Sequence, residues 1–227
     1  IDRIAFTGGT HTAREIIKNS SNNFAATNLE LGGKSPLIVF EDADIESAAN
    51  GIIAGNFGAS GQSCVAGSRV IVHKNIAHEL IKLIEKKSQS IIVGDPLNPE
   101  TNLGPLCTVK QIHLIEETLK KSIEQGGEII FGGKKIEQDG NYFEPTLIHC
   151  PNRQIESLKI EMFGPVISII EFDSEQEAIE ISNDSKYGLG SGLFTKDLAR
   201  AHRVSQEIKA GICWVNTYRV ISPIAAF

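Results

Sequence analysis

Apolar positions recur along the chain with two alternating periods. Short apolar runs read as strands, and stretches with an apolar residue every three to four positions read as helices. Ile4-Ala5-Phe6 is a run of the first kind and meets a Gly8-Gly9 turn; a helical stretch through Ala13, Ile16 and Ile17 follows. Asp42 is placed to cap a helix whose stripe is Ile45, Ala48, Ala49, Ile52 and Ile53, with Gly58 and Gly61 stopping it. Ser68 to His73 (SRVIVH) reads as a strand, and Asn75 as the cap of a helix through Leu80, Leu83 and Ile84. After a Pro/Gly-rich loop over residues 94–105, Val109, Ile112, Ile115, Leu119 and Ile123 form one helical face. Glu116, Glu117, Lys120 and Lys121 form the opposite face, and Gly126-Gly127 ends the helix. Pro165 to Phe172 (PVISIIEF) has the unbroken apolar character of a buried strand. Ser174 with Glu177 makes a capping box for the next helix. A strand over Leu189 to Thr195, a helix from about Asp197 to Lys209 ended by Gly211, and a strand over Ile212 to Asn216 complete the series.

Strands separated by helices of this length predict an α/β fold: a mainly parallel twisted sheet with helices on both faces. The 227 residues amount to one large domain or one and a half. That length buries a core without metal or disulfide staples. Composition adds mainly exclusions. With 41% apolar residues and a net charge of −6, from 28 acidic against 22 basic residues, the chain is too ordinary to be disordered. It has no apolar run of membrane-spanning length, and its acidity argues against a nucleic-acid partner. Cys64, Cys107, Cys150 and Cys213 make no CxxC pair, so neither a metal site nor a disulfide framework is expected. No basic-then-apolar leader opens the chain, so a reducing, cytoplasmic setting is the default expectation. Ile1 is no initiator residue, and the closing Ile224-Ala225-Ala226-Phe227 follows a strand-like run with no stop signal. Both ends read as cuts in something longer.

Four segments carry candidate chemistry. Cys64 lies in Gly61-Gln62-Ser63-Cys64, a small-residue loop between a helix and a strand. Such a loop admits a substrate to a thiolate and turns backbone N–H groups toward an oxyanion. Taken alone, its context favours a buried structural cysteine. Glu30, in the segment LELGGKSP (Leu29 to Pro36), is a semi-buried carboxylate suited to general-base work, and equally an edge-strand glutamate in solvent. Glu161 and Phe163, in Glu161-Met162-Phe163-Gly164-Pro165, pair a carboxylate for ribose hydroxyls with a ring for stacking; alone, the segment reads better as a loop entering a strand. Gly8-Gly9, between strand and helix, can bring N–H groups near a phosphate, a much weaker signal than a full GxGxxG. The six histidines show no ligand or triad spacing and read as surface or packing residues. Cys107, Cys150 and Cys213 read as structural.

These segments occur in one order: Phe6-Thr7-Gly8-Gly9, then LELGGKSP, then GQSC, then EMFGPV. Glu30 stands 34 residues before Cys64 and Glu161 stands 97 after it. In that order and spacing the chain resembles the NAD(P)-dependent aldehyde dehydrogenase superfamily along its whole length. The resemblance implies that residues 1–32 end a Rossmann-like cofactor-binding domain and residues 33–227 form a catalytic domain truncated at its C-terminal end. It implies that Cys64 attacks an aldehyde to give a thiohemiacetal and then a thioester, and that Glu30 activates the hydrolytic water. It also implies that Glu161, Phe163, Gly8 and Gly9 hold NAD or NADP. The second position of the glycine pair is often serine in the family, so a side-chain phosphate contact is missing. Phe57, Arg219 and Ile221 match segments lining the substrate tunnel. A small aldehyde substrate and a homo-dimeric or homo-tetrameric parent are the implied partners, with no membrane or nucleic-acid partner. Much of the cofactor domain would lie upstream, which implies weak cofactor binding by the isolated chain. Two other readings are a CoA-acylating dehydrogenase, against which Glu30 argues because hydrolysis is what needs a base, and a non-catalytic scaffold of the same fold.

Overall fold

A computed structural model describes residues 1–224 and contains two sheets. Strands β1 (Arg3–Thr7) and β2 (Ala26–Glu30) pair in parallel, joined by helix α1 (Thr10–Ser20). Thr7 lies opposite Glu30, and the Gly8 N–H donates to the Glu30 carbonyl at 3.0 Å. The glycine turn and Glu30 therefore share the C-terminal end of this pair.

The larger sheet contains β3 (Pro36–Val39), β4 (Arg69–His73), β5 (Glu128–Phe131), β6 (Thr146–His149), β7 (Val166–Phe172), β8 (Gly190–Phe194) and β9 (Ile212–Val215). Their spatial order is β5-β6-β7-β4-β3-β8-β9, and every neighbouring pair is parallel except β5 with β6. Helices α2 (Ile45–Phe57) and α3 (Lys74–Ser88) cover one face, where Ala48, Ile52, Leu80 and Ile84 pack on Leu37, Val70 and Ile169. Helices α4 (Val109–Glu124), α5 (Glu175–Asn183) and α6 (Leu198–Glu207) cover the other, where Ile112, Ile115, Ile181 and Val204 pack with Ile38, Ile71 and Ile170. Along the strands the two contact sets alternate, Ile169 to one face and Ile170 to the other, as the two-residue strand period requires. The α/β architecture with a mainly parallel sheet and helices on both faces is as the pattern predicts.

Local details depart from it. The cap of α2 is Asp44, whose carboxylate accepts the Ser47 N–H at 2.8 Å. Asp42 instead accepts from Thr195 Oγ1 and the Lys196 and Asp197 amides, and pairs with Arg200. Helix α3 opens one residue before Asn75, capped by His73. At the ends of α4 the stripe runs past the sheet, leaving Val109 and Ile123 half exposed. The box at Ser174 holds in a shifted form: Ser174 accepts the Glu177 N–H, and the Glu177 carboxylate accepts from Asp173 rather than from the cap residue. No helix is long and apolar enough to cross a membrane among the described residues.

Candidate active site

Strands β7, β4 and β3 are neighbours and run the same way, so the loops that precede them meet at one edge of the sheet. Those loops are Glu161–Pro165, Gln62–Ser68 and Leu31–Ser35, which carry the candidate segments. Strand order alone thus brings together residues about a hundred positions apart.

Their approach is too close for side chains at three points. A Cβ on Gly32 would lie 2.0 Å from Glu161 Oε2, and one on Gly33 would lie 2.4 Å from the Cys64 carbonyl oxygen. Gly61, at φ +72°, would place a Cβ 2.1 Å from the Gly164 carbonyl oxygen. Gly33 and Gly61 are therefore required by backbone contact between the loops, and a side chain at Gly32 would displace the Glu161 carboxylate. The Gly33 N–H donates to Glu161 Oε1 at 2.9 Å, which fixes that carboxylate. Burial raises the Glu161 pKa above the usual carboxylate value, opposed by the Gly33 hydrogen bond and the Lys34 and Lys186 charges.

The loops are also held in uncommon backbone conformations. Ala59 and Ser60 both have φ near 55°, just before GQSC, and Phe163 has φ 49°. Such angles cost energy in non-glycine residues and persist only where surroundings enforce them. Here Ser60 Oγ donates to the Gly104 carbonyl at 2.9 Å, Gln62 Oε1 accepts the Cys107 N–H at 3.0 Å, and the Gln111 amide donates to the Met162 carbonyl.

The edge of the large sheet faces the C-terminal end of the β1–β2 pair across a cleft of about 360 Å³. Gly8, Gly9, Glu30, Cys64, Glu161 and Phe163 all line it. Leu31 and Leu114 supply apolar wall, and Gln111 adds an amide. Phe163 keeps 37% of its surface exposed, so its ring is available to a flat ligand. Helix α1 begins at Gly9 with no side-chain cap, and the space a Cβ would take there is open. Its first-turn N–H groups are thus available to an anion.

Three expected site residues lie elsewhere. Phe57 is 3% exposed and packs in the core between α2 and the sheet. Arg219 points its guanidinium at the Ala54 and Gly58 carbonyls, both at 3.4 Å, near the end of α2. Ile221 is exposed on the following segment. None of them lines the cleft with Cys64. Two residues that do, Gln111 and Leu114, lie on α4, whose apolar stripe predicts only a core helix. The available signal was a polar Gln111 directly beside the apolar stripe.

A sequence profile described as the aldehyde dehydrogenase family matches residues 1–227. The chain belongs to the aldehyde dehydrogenase family. It is 48% identical to (Z)-2-((N-methylformamido)methylene)-5-hydroxybutyrolactone dehydrogenase of Acinetobacter baylyi over 228 positions, covering all of this chain and 47% of that one. It is 37% identical to betaine aldehyde dehydrogenase of Cereibacter sphaeroides, again covering all of this chain and 47% of the relative. Among solved structures, PnpE from Pseudomonas sp. WBC-3 superposes with a TM-score of 0.96 at 43% identity, over 99% of this chain and 47% of PnpE. Betaine aldehyde dehydrogenase from Staphylococcus aureus in complex with NAD+ superposes with a TM-score of 0.95 at 36% identity, over 99% of this chain and 45% of that one. The chain spans about half the length of the curated relatives it matches. The residues that line the cleft around Cys64 all lie within the matched region.

Proposed function

We propose that this chain is the catalytic portion of an enzyme that oxidises an aldehyde to a carboxylic acid with NAD or NADP. One observation carries the proposal: a single cleft gathers a thiol, two carboxylates, an open aromatic face and an uncapped helix start. A structural cysteine has no need of those neighbours.

The residues fit a dinucleotide on chemical grounds. Glu161 presents acceptor oxygens for ribose hydroxyls, Phe163 an exposed ring, and Gly8-Gly9 the amides of an uncapped helix for a phosphate. When bound, that group supplies the hydride acceptor. The chain's own residues do the rest. Cys64 Sγ attacks the aldehyde carbon and makes it tetrahedral, and its backbone N–H serves one half of the oxyanion site. Glu30 takes a proton from the water that cleaves the resulting thioester, help typically worth roughly 10²–10⁴-fold. A Glu30 carboxylate in the cleft favours hydrolysis over transfer to CoA. With Glu30, Cys64 and Glu161 all facing one space, a scaffold without catalysis is the weaker reading.

Residues 1–32 are assigned to the end of a cofactor-binding domain and 33–227 to the catalytic domain. The separate two-stranded sheet supports that division. Phe57, Arg219 and Ile221, which do not line the cleft, are assigned to the approach for the aldehyde. The parent is a cytoplasmic homo-dimer or homo-tetramer. Four free cysteines suit a reducing compartment.

The test is thiol labelling of the full-length protein. Alkylation at Cys64, mapped by mass spectrometry, should abolish aldehyde-dependent NADH formation in step with modification. Retained activity after complete Cys64 labelling would remove the nucleophile.

A further inference from the structure

Lys34 is the most conspicuous charged group that the proposed reaction leaves unused. It is 1% exposed, and its ammonium has no hydrogen-bond partner among the described residues. A buried, unpaired ammonium is costly, and a neutral side chain of the same length would fill the space more cheaply. The groups that face it come from three elements: Arg69 of β4, Cys150 at the end of β6, and Glu161 of the loop before β7. Arg69 is already engaged. Its guanidinium donates to the Lys34 carbonyl and to the Ile181 and Ser182 carbonyls at the end of α5, so it caps that helix, and its own charge adds to the cost of the Lys34 ammonium. Cys150 contacts Ser157 Oγ at 3.5 Å, and burial pushes its thiol up to about 11, so it holds no charge for Lys34. Glu161 is the one carboxylate in the set.

Lys34 also follows Gly33, whose N–H holds Glu161 Oε1. Both Lys34 and Glu161 line a small enclosed space under the Gly61–Ser63 loop, behind the cleft. Glu161 therefore has two faces. One opens to the cleft, and the other is held by the Gly33 amide within the field of the Lys34 ammonium.

We propose that Lys34 is a positioning residue for cofactor binding, acting through Glu161 by holding its carboxylate charged and aimed into the cleft. This rests on the reading of Glu161 as the ribose-binding carboxylate. Burial opposes the charged form of Glu161, and the Lys34 charge is among the groups that restore it. Lys186 contributes from the exposed side, and the half-buried Tyr187 hydroxyl also faces this carboxylate.

The test is a double-mutant cycle in the full-length protein, reading the NAD+ dissociation constant by titration, with kcat and KM for NAD+ beside it. Lys34→Met keeps side-chain length and removes the charge. At pH 6, where the Lys34 ammonium keeps its proton, it should raise the NAD+ dissociation constant roughly three- to tenfold, the scale of one opposite charge lost beside a half-buried carboxylate, with kcat little changed and the effect fading as pH rises past about 7. Glu161→Gln should weaken NAD+ binding at least as much, and the double variant should be no weaker than Glu161→Gln alone. Lys34→Gln serves as the second variant should Lys34→Met lose its fold by circular dichroism. An unchanged dissociation constant in a folded Lys34 variant overturns the inference. So do penalties that multiply in the double variant, because Lys34 would then act by another route. Unchanged binding in Glu161→Gln overturns the ribose reading itself, and the Lys34 inference with it.

Discussion

The β1–α1–β2 unit and the seven-stranded sheet are both built from parallel strands and helices, yet they are packed very differently. In the small unit α1 buries only Ala13 and Ser20, β2 is exposed over its first three residues, and Ile17 and Phe24 are 49% and 93% exposed. In the large sheet β3 and β8 are buried at every position. The cleft lies between them. Its phosphate-suited turn and Glu30 sit on the lightly packed side, whereas Cys64 and Glu161 sit on loops braced against the buried sheet. Within residues 1–224, the loops of the nucleophile and of the carboxylate assigned to the ribose are the ones that rest on a buried sheet.

Hydrogen exchange should show the contrast most strongly. In the 227-residue chain, amides of β3, β4 and β7 should exchange at least about a thousandfold more slowly than those of β1 and β2, because a fully buried sheet opens only on near-global unfolding. Comparable protection in the two sheets would erase the contrast. In thermal or urea melts, Ile71→Ala in the large core should cost roughly 2–5 kcal/mol, while Ile17→Ala on α1 should stay within about 0.5 kcal/mol. Gly61→Ala should cost more than about 1 kcal/mol, since it meets both a positive φ and the Gly164 carbonyl.

Lys34 gives the comparison a pH axis. Burial, with the neighbouring Arg69 charge, lowers its pKa from 10.5 to about 7. Between those values the unfolded chain binds more protons than the folded one, so this group's contribution to stability rises with pH across that window. Below it the full cost of burying the ammonium remains. Lys34→Met should therefore raise the melting temperature near pH 6, by an amount that shrinks toward pH 10. A gain independent of pH would mean that packing, not charge, sets the difference.

Much of this was legible in the sequence because the large sheet is regular. The alternation of buried strands with amphipathic helices gave the fold class, and strands over Arg69–His73 and Val166–Phe172 fell where their apolar runs are. The apolar pattern marks no strand at β2, β3, β5 or β6; β2 is largely exposed, and the other three are only four residues long, too short to show a period. The wrong caps, Asp42 and Asn75, lie within two residues of the true ones, and Asp42 is drawn away by partners at Thr195 to Arg200 that no local window contains. At the site, each motif alone favoured a mundane reading or left an even contest. What decided the matter was their order, together with a strand order that sets three of their loops side by side. Gln111 and Leu114 escaped notice because a helix that packs a core on one face can line a cleft with its next residue.

Glu30 and Cys64, both lining one cleft, are assigned successive halves of a single reaction. Rapid mixing of the Glu30→Gln full-length protein with aldehyde and NAD+ separates those halves. A burst of NADH approaching one equivalent per site is expected, followed by a steady state slowed by roughly 10²-fold or more as the thioester waits for water. A steady-state rate equal to that of the unmodified protein would contradict that assignment.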